Sequence, residues 1–295
     1  MDGCKTSNES DRKNMKVLFI SDFGLHHTYG GAQRSNDIII KEGVSRGHSI
    51  SVYHYDSSVN VLNDSYDWII SSNLEVISQT NPALVSSIPR VPNHIRLEHD
   101  SNLYWDQSFR KYFWQSCKKS FFLTKFHHEF FVESFGDIFP NVCIVPDPID
   151  KSFEPRYNWR ARSGIGYVGF MHYLKGTENF IRYVEDHPDK EFVVAAWGDE
   201  KYESKLKSLK NVDFRGKIPF EQMPDFYSSI EYLYYSPVCK EPFCRAVGEA
   251  LMCGAELLGD CSNVGSARMF YEDSDGFRDK CINAGSNFWK EIECL

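Results

Sequence analysis

Short apolar runs, each followed by a polar or glycine-containing loop and then a helical pattern, recur along the chain. Residues 16–22 form an apolar run that ends in polar side chains, which predicts a buried strand. A loop with two adjacent glycines follows at 29–34, and the pattern over 35–46, closed by Gly47, predicts a helix. The order strand, loop, helix, strand favours a parallel, doubly wound α/β sheet.

The same pattern predicts two α/β halves. Further strands of the first half are predicted at 48–53, 68–72, 94–97 and 120–124, with a last one starting at Cys143. Those of the second half are predicted at 164–169, 192–196, 212–214, 232–235 and 256–259. We therefore expect a flexible tail (1–14), an N-terminal Rossmann-like domain (15–155), a C-terminal one (156–280) and a closing helix (281–295).

Composition narrows the protein class. The chain has 295 residues, 42% hydrophobic and 25% charged, with a net charge of −8, which is typical of a globular protein and disfavours nucleic acid as a partner. No apolar run is long enough for a membrane span, and the polar start does not resemble a signal peptide. The nine cysteines form no CxxC pair, which suits a reducing compartment and predicts a cytoplasmic protein.

Two glutamates stand eight positions apart at a predicted loop-to-helix junction. Glu241 ends the loop, and Glu249 lies inside a helix predicted from Arg245 to Cys253 and closed by Gly254. The N-terminus of a helix that follows a strand offers N–H groups and a positive dipole end to phosphate. A carboxylate before it can meet a ligand's reactive end, and one further inside can meet a ribose hydroxyl. The spacing therefore indicates a nucleotide-sugar site.

The stretch from Glu241 to Glu249 resembles the E-x7-E motif of retaining glycosyltransferases of family 4, and the resemblance extends over about residues 15–260. It implies the GT-B fold, with two Rossmann-like doubly wound domains facing a central cleft. It further implies that the C-terminal domain binds a nucleoside-diphosphate sugar, UDP being the expected nucleotide, and that the other binds an acceptor hydroxyl. No metal is expected. In this family a terminal helix often packs back on the first domain.

The resemblance assigns roles to individual residues of the donor site. Glu241 is expected to contact the transferred sugar as a catalytic residue, Glu249 to hold the ribose, and Lys175 to contact the phosphates. The other donor-site assignments are Gly30, Gly31, Trp197, Ile218, Phe243, Cys244 and Arg245. Phe170 stands where the family has an arginine, which puts donor affinity in question unless Arg245 or His172 compensates.

His99 follows the predicted strand at 94–97, and in a parallel sheet that position faces a ligand site. The family has a histidine here near the sugar, so His99 is the second catalytic candidate, although a hydrogen-bonded structural histidine fits the same pattern. The neighbouring Glu98 and Asp100 would favour its protonated form if they lay close enough.

Aromatic and cationic residues alternate over 104–119, and Trp105, Arg110 and Lys111 are the candidate acceptor contacts. This pattern fits core packing, stacking on the sugars of an acceptor glycan, or binding of nucleic acid.

Three further motifs are interpreted as lacking chemistry. Asp273-Ser274-Asp275 is expected to be a solvated loop. His26-His27 and His127-His128 have no ligand-spaced partners and are expected at the surface or in helices, so no metal site is predicted.

Three functions remain open on the sequence. The first is transfer of a hexose or pentose to a glycan, lipid-linked or protein-linked acceptor. The second is transfer to hydroxymethylated bases of phage-type DNA, which the 104–119 stretch favours and the net charge opposes. The third is non-catalytic binding of a nucleotide-sugar, which Phe170 suggests.

Overall fold

The computed structural model describes residues 14–28, 30–57, 65–101, 107–156 and 161–295, with only the backbone of Gln107. These residues form two compact units. The first contains the described residues up to Pro148 together with Lys280–Leu295, and the second is Ile149–Asp279.

The first unit is built on a parallel six-stranded sheet. Its strands are β1 (Lys16–Ile20), β2 (Ser49–Tyr53), β3 (Trp68–Ser71), β4 (His94–Leu97), β5 (Lys119–Phe122) and β6 (Val142–Ile144), in the order β2-β1-β3-β4-β5-β6. Its helices up to Pro148 are α1 (Gly31–Ser45), α2 (Glu75–Thr80), α3 (Pro82–Ser87), α4 (Gln107–Gln115) and α5 (Lys125–Phe135), with a 3-10 turn at Ile88–Arg90. The apolar runs seen in the sequence are these strands, which are buried because helices cover the sheet.

The second unit contains a parallel five-stranded sheet. Its strands are β7 (Ile165–Met171), β8 (Phe192–Gly198), β9 (Val212–Phe214), β10 (Tyr232–Tyr234) and β11 (Glu256–Leu258), in the order β11-β10-β7-β8-β9. The helices that follow Pro148 are α6 (Thr177–Asp186), α7 (Glu200–Ser208), α8 (Met223–Ser229), α9 (Arg245–Met252), α10 (Gly265–Glu272), α11 (Ser274–Ile282) and α12 (Ala284–Glu293), with 3-10 turns at Tyr173–Lys175 and Phe220–Gln222. The end of α11 and the whole of α12 belong to the first unit. The predicted class of two doubly wound α/β domains is confirmed.

The strand order reverses once in each sheet. In the first sheet the chain leaves β1 toward β2 on one side and β3 on the other, and in the second sheet β7 is flanked by β8 and β10. Loops that leave neighbouring strands on opposite faces open a crevice at their carboxyl ends, and ligands of doubly wound folds bind there.

Helix α12 belongs to the first unit, although it follows the second unit in the chain. Phe288 and Trp289 are fully buried in the same hydrophobic cluster as Phe19 of β1. The Trp289 indole N–H donates to the Ile39 carbonyl at 2.7 Å, and Glu293 accepts two hydrogen bonds from Arg46 on α1. The core of the first unit is therefore closed by the last helix of the chain.

Two predictions about local structure are wrong. Helix α1 begins at Gly31 rather than Ser35, because Gly30 already has the extended conformation of an N-cap and Gly31 tolerates the helical one. Asp273-Ser274-Asp275 is not a loop but the start of α11, where the Gly276 N–H donates to Asp273 Oδ1 at 2.9 Å. This is the side-chain capping for which aspartate is favoured at a helix N-terminus.

Candidate active site

Lys175 and Glu241 lie at the point where the order of the second sheet reverses. Lys175 follows β7, and Glu241 follows β10, the strand beside it. The Lys175 Nζ atom is 2.5 Å from Glu241 Oε1, and the Lys175 side chain is 41% exposed whereas that of Glu241 is 9% exposed. Two residues assigned to the donor site by sequence thus form an ion pair whose cation faces solvent.

Gly176 allows the segments after β7 and β10 to lie against each other. It has φ +74°, the left-handed region, and a Cβ there would overlap the Ser236 carbonyl oxygen. Only glycine fits this position. Gly176 therefore lets the backbone after Lys175 lie close to the segment that carries Glu241, and the opposite charges of the two side chains complete their approach.

The Glu241 carboxylate has a further buried partner. Tyr235 Oη donates to Glu241 Oε1 at 3.1 Å, and the Glu241 backbone N–H donates to the Asn263 carbonyl at 2.8 Å. Burial, followed by the nearby thiol of Cys244 and the Glu241 carboxylate, raises the pKa of Tyr235 well above its ordinary value, so its hydroxyl remains a donor. Sequence reasoning missed Tyr235, because the end of an apolar strand looked like core.

Lys175 remains charged despite its surroundings. Burial alone would lower the pKa of this lysine, but the Glu241 carboxylate outweighs it and raises the pKa above its ordinary value. A charged ammonium has three N–H donors, and Glu241 uses one of them. The others can bind an anion.

Helix α9 begins directly after this pair. Its N-cap, Cys244, has φ +68° and ψ +90°, in a region that residues with a side chain seldom occupy. Phe243 is only 1% exposed, so its ring belongs to the core and is not a ligand contact. The first N–H groups of a helix lack intrahelical acceptors and carry the positive end of its dipole.

Arg245 and Glu249 form a buried pair on α9. Arg245 Nη2 is 3.1 Å from Glu249 Oε1, and Tyr227 Oη donates to Glu249 Oε2 at 3.4 Å. Both charged side chains are 7% exposed. The Arg245 charge is thus directed at Glu249 and does not stand in for the arginine that Phe170 replaces.

Phe170 and Trp197 lie side by side at the carboxyl ends of β7 and β8. Phe170 is 51% exposed, and the Lys217 Nζ atom lies 5.1 Å from the centre of the half-buried Trp197 ring. The ring of His172 is 6.4 Å from that of Phe170, at an interplanar angle of 24°. Ile218, adjacent to Lys217, is half-buried. This is an aromatic and cationic surface where the family has a single arginine.

In the first unit, Gly30 is the N-cap of α1 and Gly31 its first residue. Gly30 has φ −87°, which any residue can adopt, and a Cβ there would meet only the flexible end of Gln33. The backbone therefore does not require a glycine at 30. Close approach by a ligand remains the reason that the family resemblance implies.

His99 is buried and held from two sides. Its Nε2 atom is 3.0 Å from Asn36 Oδ1 on α1, and its Nδ1 atom is 3.4 Å from Asp147 Oδ1 after β6. The carboxylate next to it is therefore Asp147, not Glu98 or Asp100. Sequence reasoning missed Asp147 and Asn36 because both are distant in the chain, although Asp147 also follows a strand at this end of the sheet.

The two acids beside His99 in sequence have other partners. Glu98 accepts two hydrogen bonds from the Arg96 guanidinium, at 3.0 and 2.9 Å, and both side chains are almost fully buried. Asp100 accepts a hydrogen bond from the Asn73 amide. Parallel strands place alternate residues on one face, so Arg96 and Glu98 meet while His99 points elsewhere.

The three candidate acceptor contacts differ in their surroundings. Trp105 lies outside the described residues. Arg110 is buried in α4, with its guanidinium 5.6 Å from the centre of the Phe135 ring, whereas Lys111 is exposed. Phe113 and Trp114 of the same helix are buried in the core. Most of this helix therefore packs against the unit, and Lys111 is the candidate that faces solvent.

One of the two expectations about the histidine pairs is corrected. His127 lies in helix α5, one of the expected places, and its burial there lowers its pKa to about 3. His26 and His27, expected to have no ligand partners, lie beside Asp56, with one potential ligand atom from each within 4.8 Å of the others. Asp56 escaped the sequence search because it follows a different strand.

No protein-family model and no curated protein sequence matches the chain. The chain does match solved structures. Sucrose-phosphate synthase from Thermosynechococcus elongatus is 13% identical, with a TM-score of 0.66 over 96% of this chain and 95% of that one. HepE from Anabaena, in complex with UDP-glucose, is 14% identical, with a TM-score of 0.64 over 95% and 96%.

A third solved structure is an alpha-glucosyltransferase in complex with UDP and a 13-mer DNA containing an HMU base. It is 12% identical, with a TM-score of 0.58 over 96% of this chain and 99% of that one. At this identity the likenesses show the fold alone, and that fold is GT-B. Among the described residues, the helices are too short or too polar to cross a membrane.

Proposed function

We propose that the protein is a retaining glycosyltransferase that moves a hexose or pentose from a nucleoside-diphosphate sugar to an acceptor hydroxyl. The observation that carries this proposal is the Lys175–Glu241 pair. It stands where the second sheet reverses its strand order, immediately before the N-terminus of α9. Phosphate is bound by cations and by helix N-termini, and a sugar by a fixed carboxylate; this position brings a cation, a carboxylate and a helix N-terminus together.

The donor is held through its nucleotide. The two N–H donors of Lys175 that Glu241 does not use bind phosphate oxygens, together with the first N–H groups of α9. The Glu249 carboxylate, fixed by Arg245 and Tyr227, accepts from the ribose hydroxyls. UDP is the proposed nucleotide, and HepE, a protein of like fold, is described in complex with UDP-glucose.

The base is proposed to lie against the exposed aromatic surface at the ends of β7 and β8. The ring of Trp197 with Lys217 above it offers a stacking face and a charge. The backbone at Ile218 is adjacent and can read the base edge. Phe170 contributes a ring where the family has an arginine, so Lys175 is the principal side-chain cation for the diphosphate in this proposal.

In the reaction, the bond between the anomeric carbon and the phosphate oxygen breaks, and the electron pair leaves with the nucleoside diphosphate. The acceptor oxygen forms the new bond to that carbon, and its proton passes to the departing phosphate. Positive charge develops on the sugar and negative charge on the phosphate. Glu241 stabilises the first and Lys175 the second, without a metal at the phosphate.

His99, Gly30 and Gly31 are proposed as the ligand-contacting residues of the first unit. Asp147 beside Nδ1 and Asn36 beside Nε2 fix the plane of the imidazole. An imidazole fixed in this way loses little side-chain freedom when a ligand packs against its edge. Lys111, exposed on α4, is the proposed acceptor contact.

A calorimetric titration with UDP, GDP, ADP, CMP and their sugars tests the donor site, with Lys175→Met as the disabling variant. Lys205 provides a matched control, because it forms an equally short ion pair, 2.5 Å to Glu185, on exposed surface of the same unit. We expect one nucleotide to bind selectively, Lys175→Met to weaken it by about 10- to 100-fold, and Lys205→Met to leave it unchanged. Equal binding by the three proteins would overturn the proposal.

Transfer to a hydroxymethylated base in DNA is the second candidate. The chain has the fold of an alpha-glucosyltransferase described with HMU-containing DNA, and Lys111 and Tyr112 are exposed on α4. Incubation of the bound donor with glycans and with an HMU oligonucleotide distinguishes the acceptors. Product from the oligonucleotide alone would select this candidate. Donor binding without transfer or hydrolysis on any acceptor would instead identify a binding protein.

A further inference from the structure

Three histidines and an aspartate cluster at the carboxyl ends of β1 and β2. His26 and His27 lie in the turn after β1, and His54 and Asp56 lie directly after β2. The ring centres of His26 and His27 are 3.8 Å apart, and that of His54 is 5.4 and 5.3 Å from them. The parallel strands bring together residues separated by about thirty positions in the chain.

Three of these side chains offer ligand atoms to one point. One nitrogen from each of His26 and His27 and one carboxylate oxygen of Asp56 all lie within 4.8 Å of one another. Ligands at 2.0–2.2 Å from a tetrahedral zinc ion stand about 3.3–3.5 Å apart. Small rotations of these exposed or half-buried side chains bring their ligand atoms to that spacing. Three protein ligands leave one position of a tetrahedral ion open.

His54 supplies a second observation at the same place. Its Nδ1 atom lies 3.0 Å from the Ser21 carbonyl oxygen, a contact that fixes the proton on Nδ1 and leaves Nε2 as a lone-pair donor. Within the described residues no hydrogen bond engages that Nε2 atom. It lies next to Gly24, as does the His26 ring. A backbone carbonyl on one imidazole nitrogen is the usual orienting partner of a metal-ligating histidine.

We propose that His26, His27 and Asp56 bind a divalent transition-metal ion, with the His54 imidazole as the neighbouring fourth ligand. Two or three imidazoles with one carboxylate suit zinc, and exclude the all-oxygen coordination that calcium and magnesium require. This site is in the first unit and is distinct from Lys175 and Glu241.

Binding requires a defined proton transfer at His27. In the free protein its Nε2 atom lies 3.0 Å from Asp56 Oδ2, and its Nδ1 atom accepts from the Gly24 N–H at 3.0 Å. The metal takes the place of the Nε2 proton, which is released to water, and a proton from water is taken up at Nδ1. The Gly24 amide then exchanges His27 for water, so one weak hydrogen bond is lost and a coordinate bond forms.

The site joins two loops. The turn that holds His26 and His27 leads into Gly30 and Gly31, and Asp56 belongs to the segment after β2. A bound ion would therefore fix the approach to α1 against its neighbouring strand. We expect slower amide hydrogen exchange over 21–28 and 54–57 when the metal is present, and no change in the second unit.

The test is a titration of the full-length, untagged protein with Zn²⁺, and with Co²⁺ for its visible spectrum. Wild type should bind one ion. His26→Ala and Asp56→Asn should weaken it by more than about 100-fold. His187→Ala removes a histidine of the second unit, whose Nδ1 atom bonds its own helix at 2.8 Å, and should leave binding unchanged. His26 makes no hydrogen bond to a described residue, so its loss should not disturb folding, which circular dichroism checks.

Cobalt separates this site from the cysteines, of which eight described thiols are free. Nitrogen and oxygen ligands give visible absorption alone, whereas thiolates add a charge-transfer band in the near ultraviolet. Equal affinity in the variants, a thiolate band on the tight site, or no binding below millimolar Zn²⁺ would each overturn the proposal. Because these measurements use no donor, failure here leaves the proposed transferase unaffected.

Discussion

At the carboxyl end of the first sheet, charged side chains are buried against one another, whereas at that of the second sheet a cation faces solvent. The side chains of Arg96 and Glu98 are 2% and 5% exposed, but that of Lys175 is 41% exposed beside Glu241 at 9%. In both pairs a cationic side chain lies within hydrogen-bond distance of a glutamate near the carboxyl end of a parallel strand. The pairs differ in whether the cation has N–H groups that a ligand can reach.

The difference separates pairs that serve stability from pairs that serve binding. A fully buried pair has no spare donor for an outside molecule, and breaking it leaves a charge without solvent. A half-open pair keeps N–H groups free while its carboxylate fixes its position. Exposure of the cation, rather than the length of the ion pair, therefore distinguishes the proposed donor site.

The largest effect should follow from Arg96→Met. Its loss leaves Glu98 buried without a partner, although burial already raises the pKa of Glu98, so part of the cost will be met by protonation. We expect unfolding of the first unit to become easier by about 3–5 kcal/mol, measured by urea denaturation.

Arg215→Met is the control for Arg96→Met. Arg215 forms a 2.8 Å pair with Asp213, which has the same two-residue separation, but both side chains are about half exposed. Its loss should cost less than about 1 kcal/mol. Equal effects of the two substitutions would show that burial does not distinguish these pairs.

A smaller free-energy effect, on activity rather than stability, is expected for Glu241→Gln. The substitution keeps the shape but removes the charge that faces the sugar, so the transfer rate should fall by about 10²–10³-fold with little change in melting temperature. Glu185→Gln, in the exposed pair with Lys205, should leave the rate unchanged. If both variants retained full activity, Glu241 would be structural, like Glu98.

Acid should destabilise the first unit through His94. This histidine is buried next to Ser71, and burial followed by the Arg96 charge lowers its pKa to about 3. Unfolded histidine takes up a proton below about pH 6.5. The folded state therefore keeps its full stability above pH 6.5 and loses it as the pH falls toward 3.

His94→Gln should remove that dependence. Between pH 6.5 and 4.5 the wild type should lose about 2.3 kcal/mol more than the variant, because the slope rises to about 1.4 kcal/mol per pH unit below the unfolded pKa. Urea denaturation at the two values measures it. Parallel losses in both proteins would mean that His94 can be protonated in the folded state.

The smallest effect is expected for Cys244→Gly, at the N-cap of α9. A residue with a side chain at φ +68° costs about 1 kcal/mol, so glycine should stabilise the second unit by less than about 1 kcal/mol after its own entropy is counted. Cys294→Gly, at the exposed C-cap of α12 where φ is −89°, should give no gain. Destabilisation by Cys244→Gly would show that the thiol packs more favourably than the backbone is strained.

The sequence was sufficient where chemistry and local structure coincide. Glu241 and Glu249 could be proposed because one helix start sets their spacing, whereas Lys175 was assigned through the resemblance alone. The strands could be predicted because parallel strands covered on both faces are continuous apolar runs. The start of α1 was missed by four residues, since glycine at the first helical position looks like a loop.

Contacts between distant strands could not be predicted. Asp147 beside His99 and Asp56 beside His27 each follow a different strand from their partner. No sequence period links such residues, because the sheet order is set by packing of whole elements. Burial of Arg110 was equally hidden, as helix α4 presents cations on both its faces.

Helix α12 has a consequence for synthesis of the chain. Trp289 and Phe288 complete the core of the first unit, yet they are translated after the whole of the second unit. On the ribosome, Ile149–Asp279 can therefore fold as soon as it emerges, while the earlier strands wait with an unfilled face until the last helix is released. We therefore expect the second unit to complete its core before the first, against the usual order in which the segment made first folds first.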